Sequence, residues 1–347
     1  MLAYIARRLA LIPLTLLGIM TINFLFAQAA PGGPVEQMMM KIDRIGGGEA
    51  SSGGGSIYRG ADGVREEFRA KLVQQYGFDR PAYERFFQMI RDYLRFDFGK
   101  SFYQDRTVTA LVLEKMPVSM SLGLWSTLLI YLISIPLGIA KAVRHGSRFD
   151  LITSWAVVIG YAVPGFLVGL ALIVLFAGGS YWAWFPLRGL TSPGAEAWPF
   201  WARVGDYFWH LVLPVTALVV GGFASLTMLT KNCFLDEIHK HYVLTARAKG
   251  ASPARVLYRH IFRNAMLLVV AGFPAALVSI LFTGSMLIEV MFSLDGLGLL
   301  GFEAVINRDF PVMFATLYVF GLIGLILNLI SDLTYHWVDP RIDFEAR

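Results

Sequence analysis

YFWHLVLPVTALVVGGFASLTMLT, residues 207–230, runs for 24 residues without an Asp, Glu, Lys or Arg. A helix rises about 1.5 Å per residue, so ~20 apolar residues cross the ~30 Å hydrocarbon core of a bilayer. This run is long enough. Five others meet the same test: 9–35, 116–140, 151–187, 264–288 and 310–331. The first and third overrun one span, and their surplus ends, QAAPGGPV and AGGSYWAW, read as exits to the surface. An all-α integral membrane protein with six transmembrane helices is expected.

Composition points the same way. Of 347 residues, 56% are hydrophobic and 16% charged, against about 45–50% and about 25% in soluble domains. Such a chain cannot cover its apolar surface in water. The balance excludes a disordered protein, a nucleic-acid binder and a disulfide scaffold. Its single cysteine, Cys233, has no internal partner, and the net charge of +5 reflects the Lys and Arg that membrane proteins keep on their inner loops. Each apolar stretch also holds a proline: Pro13, Pro136, Pro164, Pro214, Pro274 and Pro311. Interior proline removes a backbone hydrogen bond and bends a helix, which membrane helices tolerate where neighbours or water satisfy the freed carbonyl.

Orientation follows from the short loops. With the N-terminus inside, the inner segments 1–8, 141–150, 231–263 and 332–347 hold 14 Lys and Arg, and the outer loops 178–209 and 289–309 hold 3. The excess puts both termini on the cytoplasmic side. The outer loop after the third stretch carries Trp182, Trp184, Trp198, Trp201 and Trp209, as an interfacial belt would. Arg7 and Arg8 before an apolar run ending near Ala27-Gln28-Ala29 could be a signal peptide. The run Leu9–Phe26 is 18 residues, beyond the ~7–15 of a signal core, and a retained helix is expected.

Between the first two stretches lies a long outer segment. Residues 46–56, GGGEASSGGGS, read as a flexible linker. Beyond it Val64, Phe68 and Leu72, then Tyr83, Phe86, Phe87, Ile90 and Leu94, recur at helical spacing, predicting a small helical cap. The chain should therefore divide into an N-terminal transmembrane helix (1–30), an outer segment (31–115), a five-helix core (116–340) and a short tail (341–347).

The inner loop 231–263, KNCFLDEIHKHYVLTARAKGASPARVLYRHIFR, carries the clearest local signals. Gly250 is a helix stop, because it adopts positive φ without a Cβ penalty. Ser252 followed by Pro253 is an N-cap and a first-turn proline. Two helices should meet at a tight corner of small residues, Ala246, Ala248, Gly250 and Ala251, where a partner's backbone can approach closely; Arg247, Lys249 and Arg255 add positive charge. His239 and His241, two apart, face different sides of a helix and make poor joint metal ligands. There is no G-x-x-x-x-G-K-[ST] phosphate loop, H-E-x-x-H or G-x-S-x-G, so neither ATP binding nor covalent chemistry is expected of this chain. An ion-coupled secondary transporter, the main alternative, would ordinarily keep carboxylates within its spans. The six stretches contain none, Glu289 and Asp332 lie only at their ends, and no internal repeat is evident.

Y-V-L-T-A-R-A-K-G with R-H-I-F-R-N-A (Tyr242–Gly250, Arg259–Ala265) resembles the EAA loop of ABC-importer permeases of the dipeptide/oligopeptide class. A-P-G-G-P, Y-G-F-D-R-P, F-D-F-G-K-S, E-V-M-F-S-L-D-G-L-G-L-L-G, R-D-F-P-V and D-P-R-I-D-F extend the resemblance along the whole chain. The Gly-rich insertion, S-I-P-L-G-I, L-T-K-N-C-F-L-D-E and R-I-D-F-E make it most like the B-type permeases of the Yej branch, associated with peptides and microcin C-like peptide-nucleotides. Two departures from the general EAA pattern, Leu244 at the usual glutamate and His260–Arg263 in place of I-x-L-P, narrow the subclass.

The resemblance implies a type I ABC importer permease in a bacterial inner membrane. It would pair with a second permease subunit, a cytoplasmic ABC ATPase that holds ATP and Mg, and a periplasmic peptide-binding protein. This chain would bind no cofactor. Leu244, Thr245, Ala246, Arg247, Ala248, Lys249, Gly250, Ser252, Arg255 and Arg263 would seat the ATPase. In the outer segment Glu289–Pro311, Asp295, Glu303, Arg308 and Asp309 lie beside Gly296, Gly298 and Gly301. Those carboxylates could hold a peptide's amino terminus and Arg308 its carboxylate, making the segment an outer gate.

Overall fold

The structure, a computed structural model, describes residues 2–29, 80–104, 106–179, 181–279 and 285–338. The expected linker 46–56, the Val64–Phe68–Leu72 repeat and the tail 341–347 lie outside them. Among the described residues the longer elements are helices, in the order α1 (Leu2–Ala29), α2 (Ala82–Tyr93), α3 (Val108–Val143), α4 (Arg148–Ala162), α5 (Gly165–Phe176), α6 (Phe200–Ile238) and α7 (His241–Ala248). A short turn, Pro253–Arg255, then leads through π-helical Val256–Ile261 into α8 (Phe262–Ala271), followed by α9 (Phe273–Ser279), α10 (Ser285–Met291), α11 (Leu297–Asn307) and α12 (Phe310–Val338).

Among the described residues, five helical stretches are long and apolar enough to cross a membrane: Tyr4–Phe26, Val108–Val143, Phe200–Ile238, Pro253–Ala276 and Phe310–Thr334. The remaining expected span, 151–187, is not one straight helix. It is the pair α4 and α5, bent by 91° at Val163-Pro164. Proline disfavours helical geometry in the residue before it, and Val163 is extended with φ −90° and ψ 118°. Pro13, Pro136 and Pro214 are instead carried inside long helices. Counted as one span, the bent pair would raise the number among the described residues from five to six.

The long helices also overrun their charge-free stretches. α6, with 39 residues, is about 58 Å long at 1.5 Å per residue. It continues past Lys231 just as α3 continues past Lys141, because both lysines are buried among protein groups instead of marking an exit to water. The span expected to begin at 264 starts at Pro253, and Arg255, Arg259 and Arg263 belong to its N-terminal end.

The chain forms two compact units: residues 1–9, 115–300 and 322–347 make the first, 10–114 and 301–321 the second. In the first, Leu122 and Ile130 of α3 share a core with Leu211, Val215 and Ala217 of α6 and with Ile288 and Phe292. Tyr4 donates to Asp332 at 2.8 Å and Arg8 pairs with the same carboxylate at 2.9 Å. In the second, α2 packs on α1 through Phe24 and Phe86, ring centroids 5.3 Å apart. Tyr93 and Phe98 close edge-on against Tyr318 and each other. The apolar stripe expected on α2 is only partly buried: Phe86 and Ile90 are half-buried, Tyr83, Phe87 and Leu94 are exposed, and Tyr93 is the buried member. Trp182, Trp184, Trp198, Trp201 and Trp209 are all exposed.

Candidate functional site

The inner corner is assembled from two local motifs. α7 ends where the Ala251 N–H donates to the Ala246 carbonyl at 3.2 Å and the Gly250 N–H to the Arg247 carbonyl at 2.9 Å, the paired bonds of a Schellman stop. Gly250 takes the left-handed position with φ +80°. The next helical turn starts at Ser252, whose Oγ accepts from the Arg255 N–H at 3.4 Å with Pro253 in the first turn. Both signals read from the sequence operate as expected. The π-helical run that follows, Val256–Ile261, has no such signature; π turns recur at functional sites.

The corner rests on an apolar floor and is braced by a polar one. Val243, Val256, Ile261, Ala265 and Val269 are buried together with Ala142 of α3 and Phe234 of α6. The Tyr242 hydroxyl donates to Glu237 at 2.5 Å, Asn264 donates to Tyr242 at 3.3 Å, and Lys240 donates to the other Glu237 oxygen at 2.6 Å. Three helices thus meet on one glutamate. Burial and the bond to Glu237 raise the Tyr242 pKa, and the bond to Glu237 raises that of Lys240. A cavity of about 510 Å³ opens beside this floor, lined by Ala142, Ile238, Arg247, Ala251, Leu257 and Tyr258 among others.

Of the residues expected to meet a partner, Leu244, Thr245, Arg247, Ala248, Lys249, Gly250, Ser252, Arg255 and Arg263 are exposed, while Ala246 is half-buried against the floor. Among the described residues, chain neighbours aside, nothing comes within 4 Å of a Cβ built on Gly250, which faces open space. Tyr258 is a further member that motif reasoning passed over: it is 65% exposed, beside Arg247 on the cavity wall. An exposed aromatic within a basic loop was the signal available. Such a surface of small, basic and apolar groups suits docking. Among the described residues no three His, Cys, Asp or Glu side chains converge as metal ligands.

The outer segment places its four charged residues differently. Asp295 is largely exposed and pairs with Lys115 in the first unit. In the second, Glu303 is exposed, and Arg308 is half-buried with φ 52° at a second Schellman stop, where the Asp309 N–H donates to the Ala304 carbonyl at 2.8 Å. Asp309 is buried; it accepts from Ser101 Oγ at 2.5 Å and from the Phe102 N–H at 3.2 Å. Burial raises its pKa, and those two donors oppose the rise. The sequence motifs F-D-F-G-K-S and R-D-F-P-V meet at this bond.

Glu289 has a role that the sequence did not assign. Fully buried, it accepts from Ser119 Oγ at 2.7 Å and from the Leu299 N–H at 2.9 Å, while Ser119 Oγ accepts from the Leu297 N–H at 2.8 Å. The first turn of α11 is thereby held by a carboxylate and a hydroxyl, which is where a helix presents unpaired N–H donors.

Comparison with known proteins follows this geometry. Residues 134–344 match the family model described as binding-protein-dependent transport system inner membrane component. The inner membrane ABC transporter permease protein YejB of Escherichia coli O157:H7 is 57% identical, covering 99% of this chain and 100% of that protein. The peptidoglycan transport system permease protein YejB of Agrobacterium fabrum is 56% identical over 99% of each. The oligopeptide transport system permease protein AppB of Bacillus subtilis is 34% identical over 99% of this chain and 100% of its own. Among solved structures, an inward-facing MetNI methionine ABC transporter matches with a TM-score of 0.51 at 17% identity, covering 66% of this chain and 96% of that one. That likeness concerns the fold alone.

Proposed function

Because the chain belongs to the family of binding-protein-dependent transport system inner membrane components, we propose that it forms one half of an ATP-driven peptide pathway whose inner corner receives the force of the ATPase. It is a multi-pass inner-membrane permease subunit of an ABC importer for peptides, and a non-catalytic one, the ATPase being a separate subunit. The ion-coupled alternative falls with that membership.

The finer assignments are our reading. A second permease subunit completes the pathway, and a periplasmic binding protein delivers peptide to the outer mouth. ATP and Mg stay on the cytoplasmic ATPase, and both termini of this chain are cytoplasmic. Leu244 to Gly250, with Ser252, Arg255 and Arg263, forms the seat for the ATPase. Exposed Asp295 and Glu303 and half-buried Arg308 meet peptide or binding protein, while Asp309, occupied by Ser101, sets the backbone that carries Arg308. Oligopeptides and peptide-nucleotides of the microcin C type are the proposed substrates. The Agrobacterium relative's name adds peptide-bearing peptidoglycan fragments to the set to be tried.

One observation carries the coupling assignment: the corner is built by a Schellman stop and an N-cap, is basic, and leaves Gly250 with φ +80° facing open space. A Cβ there has none of the described residues within 4 Å apart from its chain neighbours, which leaves room for a partner to meet added bulk. Gly250→Ala should show only the backbone cost of a left-handed residue, about 1–2 kcal/mol. Gly250→Trp should in addition release the ATPase subunit during purification or lower peptide import per ATP hydrolysed. If the two variants behave alike, with wild-type import and wild-type recovery of the ATPase, the corner is not the seat.

A further inference from the structure

A buried carboxylate holds two buried lysines beside the coupling corner, and nothing in the proposed function uses it. Asp150 lies in the first turn of α4, where Ser147 Oγ accepts its N–H at 3.2 Å. Its carboxylate accepts from Lys231 at 2.7 and 2.9 Å and from the Gly146 N–H at 3.2 Å, with Lys141 Nζ at 3.1 Å and His145 Nδ1 at 3.2 Å. Lys141, with no exposed surface, donates further to the Asp150 carbonyl, Thr153 and Ser154 at 3.0, 2.9 and 2.7 Å. The Lys141 ammonium is thus surrounded by protein acceptors, and Lys231 gives two bonds to the one carboxylate.

The two lysines do different things. Lys141 and Asp150 flank the same short turn between α3 and α4, so their contact is local. Lys231 arrives from α6, 81 residues further along the chain, and ties that helix to the start of α4. Removing ions from water is costly, and apolar side chains of similar volume often pack at least as well, so a buried ion cluster gains meaning where it sets a unique arrangement. Its position says which arrangement. Lys141 adjoins Ala142, and Lys231 lies one turn before Phe234; both neighbours belong to the floor beneath the corner, with Val243, Val256 and Ile261. One turn before Lys141, a Cβ on Gly138 would lie 2.6 Å from Thr230 Cβ, so α3 and α6 pack there too closely for any side chain.

We propose that the Lys231–Asp150 link is a transmission joint: it makes α4, and with it the bent α4–α5 pair, follow the inner end of α6 when the ATPase moves the coupling corner. The proposal rests on the permease reading above. Lys231 and Asp150 are positioning residues, acting through the corner without touching peptide or nucleotide.

The test uses the whole complex in vesicles with its binding protein, measuring peptide imported per ATP hydrolysed. Lys231→Met cuts the tie to α6 and leaves Lys141 and Asp150 as a balanced pair. Lys141→Met keeps the tie and removes only the local contact. The ratio should fall about tenfold in Lys231→Met, within the usual range of coupling between distant sites, and hold in Lys141→Met whatever its melting temperature. Lys231→Arg, which reaches a carboxylate with a bidentate fork, should keep the ratio. If Lys231→Met does not assemble, Lys231→Gln, uncharged but still a donor, is read in the same way. A wild-type ratio in the tie-cutting variant, or an equal fall in both lysine variants, overturns the proposal. A wild-type complex that imports no peptide would instead overturn the permease reading.

Discussion

Gly298 and Gly301 stand three residues apart in α11, and the same substitution should have opposite signs at the two. Alanine in place of glycine inside a helix ordinarily gains up to about 1 kcal/mol. At Gly301 the new Cβ would lie 3.6 Å from Thr316 Oγ1, an ordinary contact, so Gly301→Ala should raise the unfolding temperature of the purified complex or leave it unchanged. At Gly298 it would lie 2.8 Å from Met286 Cα and 2.9 Å from Glu289 Oε2. One neighbour is backbone and the other is the carboxylate that holds the helix start. Gly298→Ala should therefore destabilise by about 1–3 kcal/mol, as overpacking does. Equal shifts in the two variants would mean that Glu289 is not packed against this turn.

At the scale of the element, α11 is a short apolar helix with fixed ends and an exposed face. Glu289 and Ser119 hold its first turn, and a Schellman stop with Arg308 in the left-handed position closes its last. Phe302, Val305 and Ile306, spaced as one helical face, are exposed together with Glu303. The preceding turn carries exposed Asp295. Because these two carboxylates are solvated, each contact that they make with a peptide is worth no more than about 1 kcal/mol. Asp295→Asn combined with Glu303→Gln should raise the peptide concentration for half-maximal import about fivefold, with ATPase recovery unchanged. Import that saturates at the wild-type concentration would make both residues surface charges. Asp309 is left out of that pair because its substitution would also break the bonds to Ser101 and Phe102.

Over the whole molecule, the distribution of basic residues makes a definite demand on topology. Glu196 lies in the outer loop and Arg144 in the turn between α3 and α4, and both are exposed. In a Cys233→Ser background, Glu196→Cys should react with an impermeant thiol reagent in intact spheroplasts, and Arg144→Cys only after permeabilisation. The reverse pattern would invert the orientation and move the coupling corner to the wrong side of the membrane for an ATPase.

How much of this was legible in the sequence depended on the range of the interactions involved. Five of the expected spans, the stop at Gly250 and the cap at Ser252-Pro253 each rest on residues within a turn or a span of one another, so a linear reading sufficed. The ends of the spans did not. A charge-free count stops α6 at Lys231, yet the helix continues to Ile238, and Lys231 is held inside the protein by Asp150 from 81 residues away. The same holds for Glu289, paired with Ser119 from 170 residues away, and for Asp309, paired with Ser101 from 208 residues away. Whether a charged side chain marks an exit to water or is a buried tie is set by the partner that meets it. That partner comes from a distant segment, so only the tertiary structure decided it.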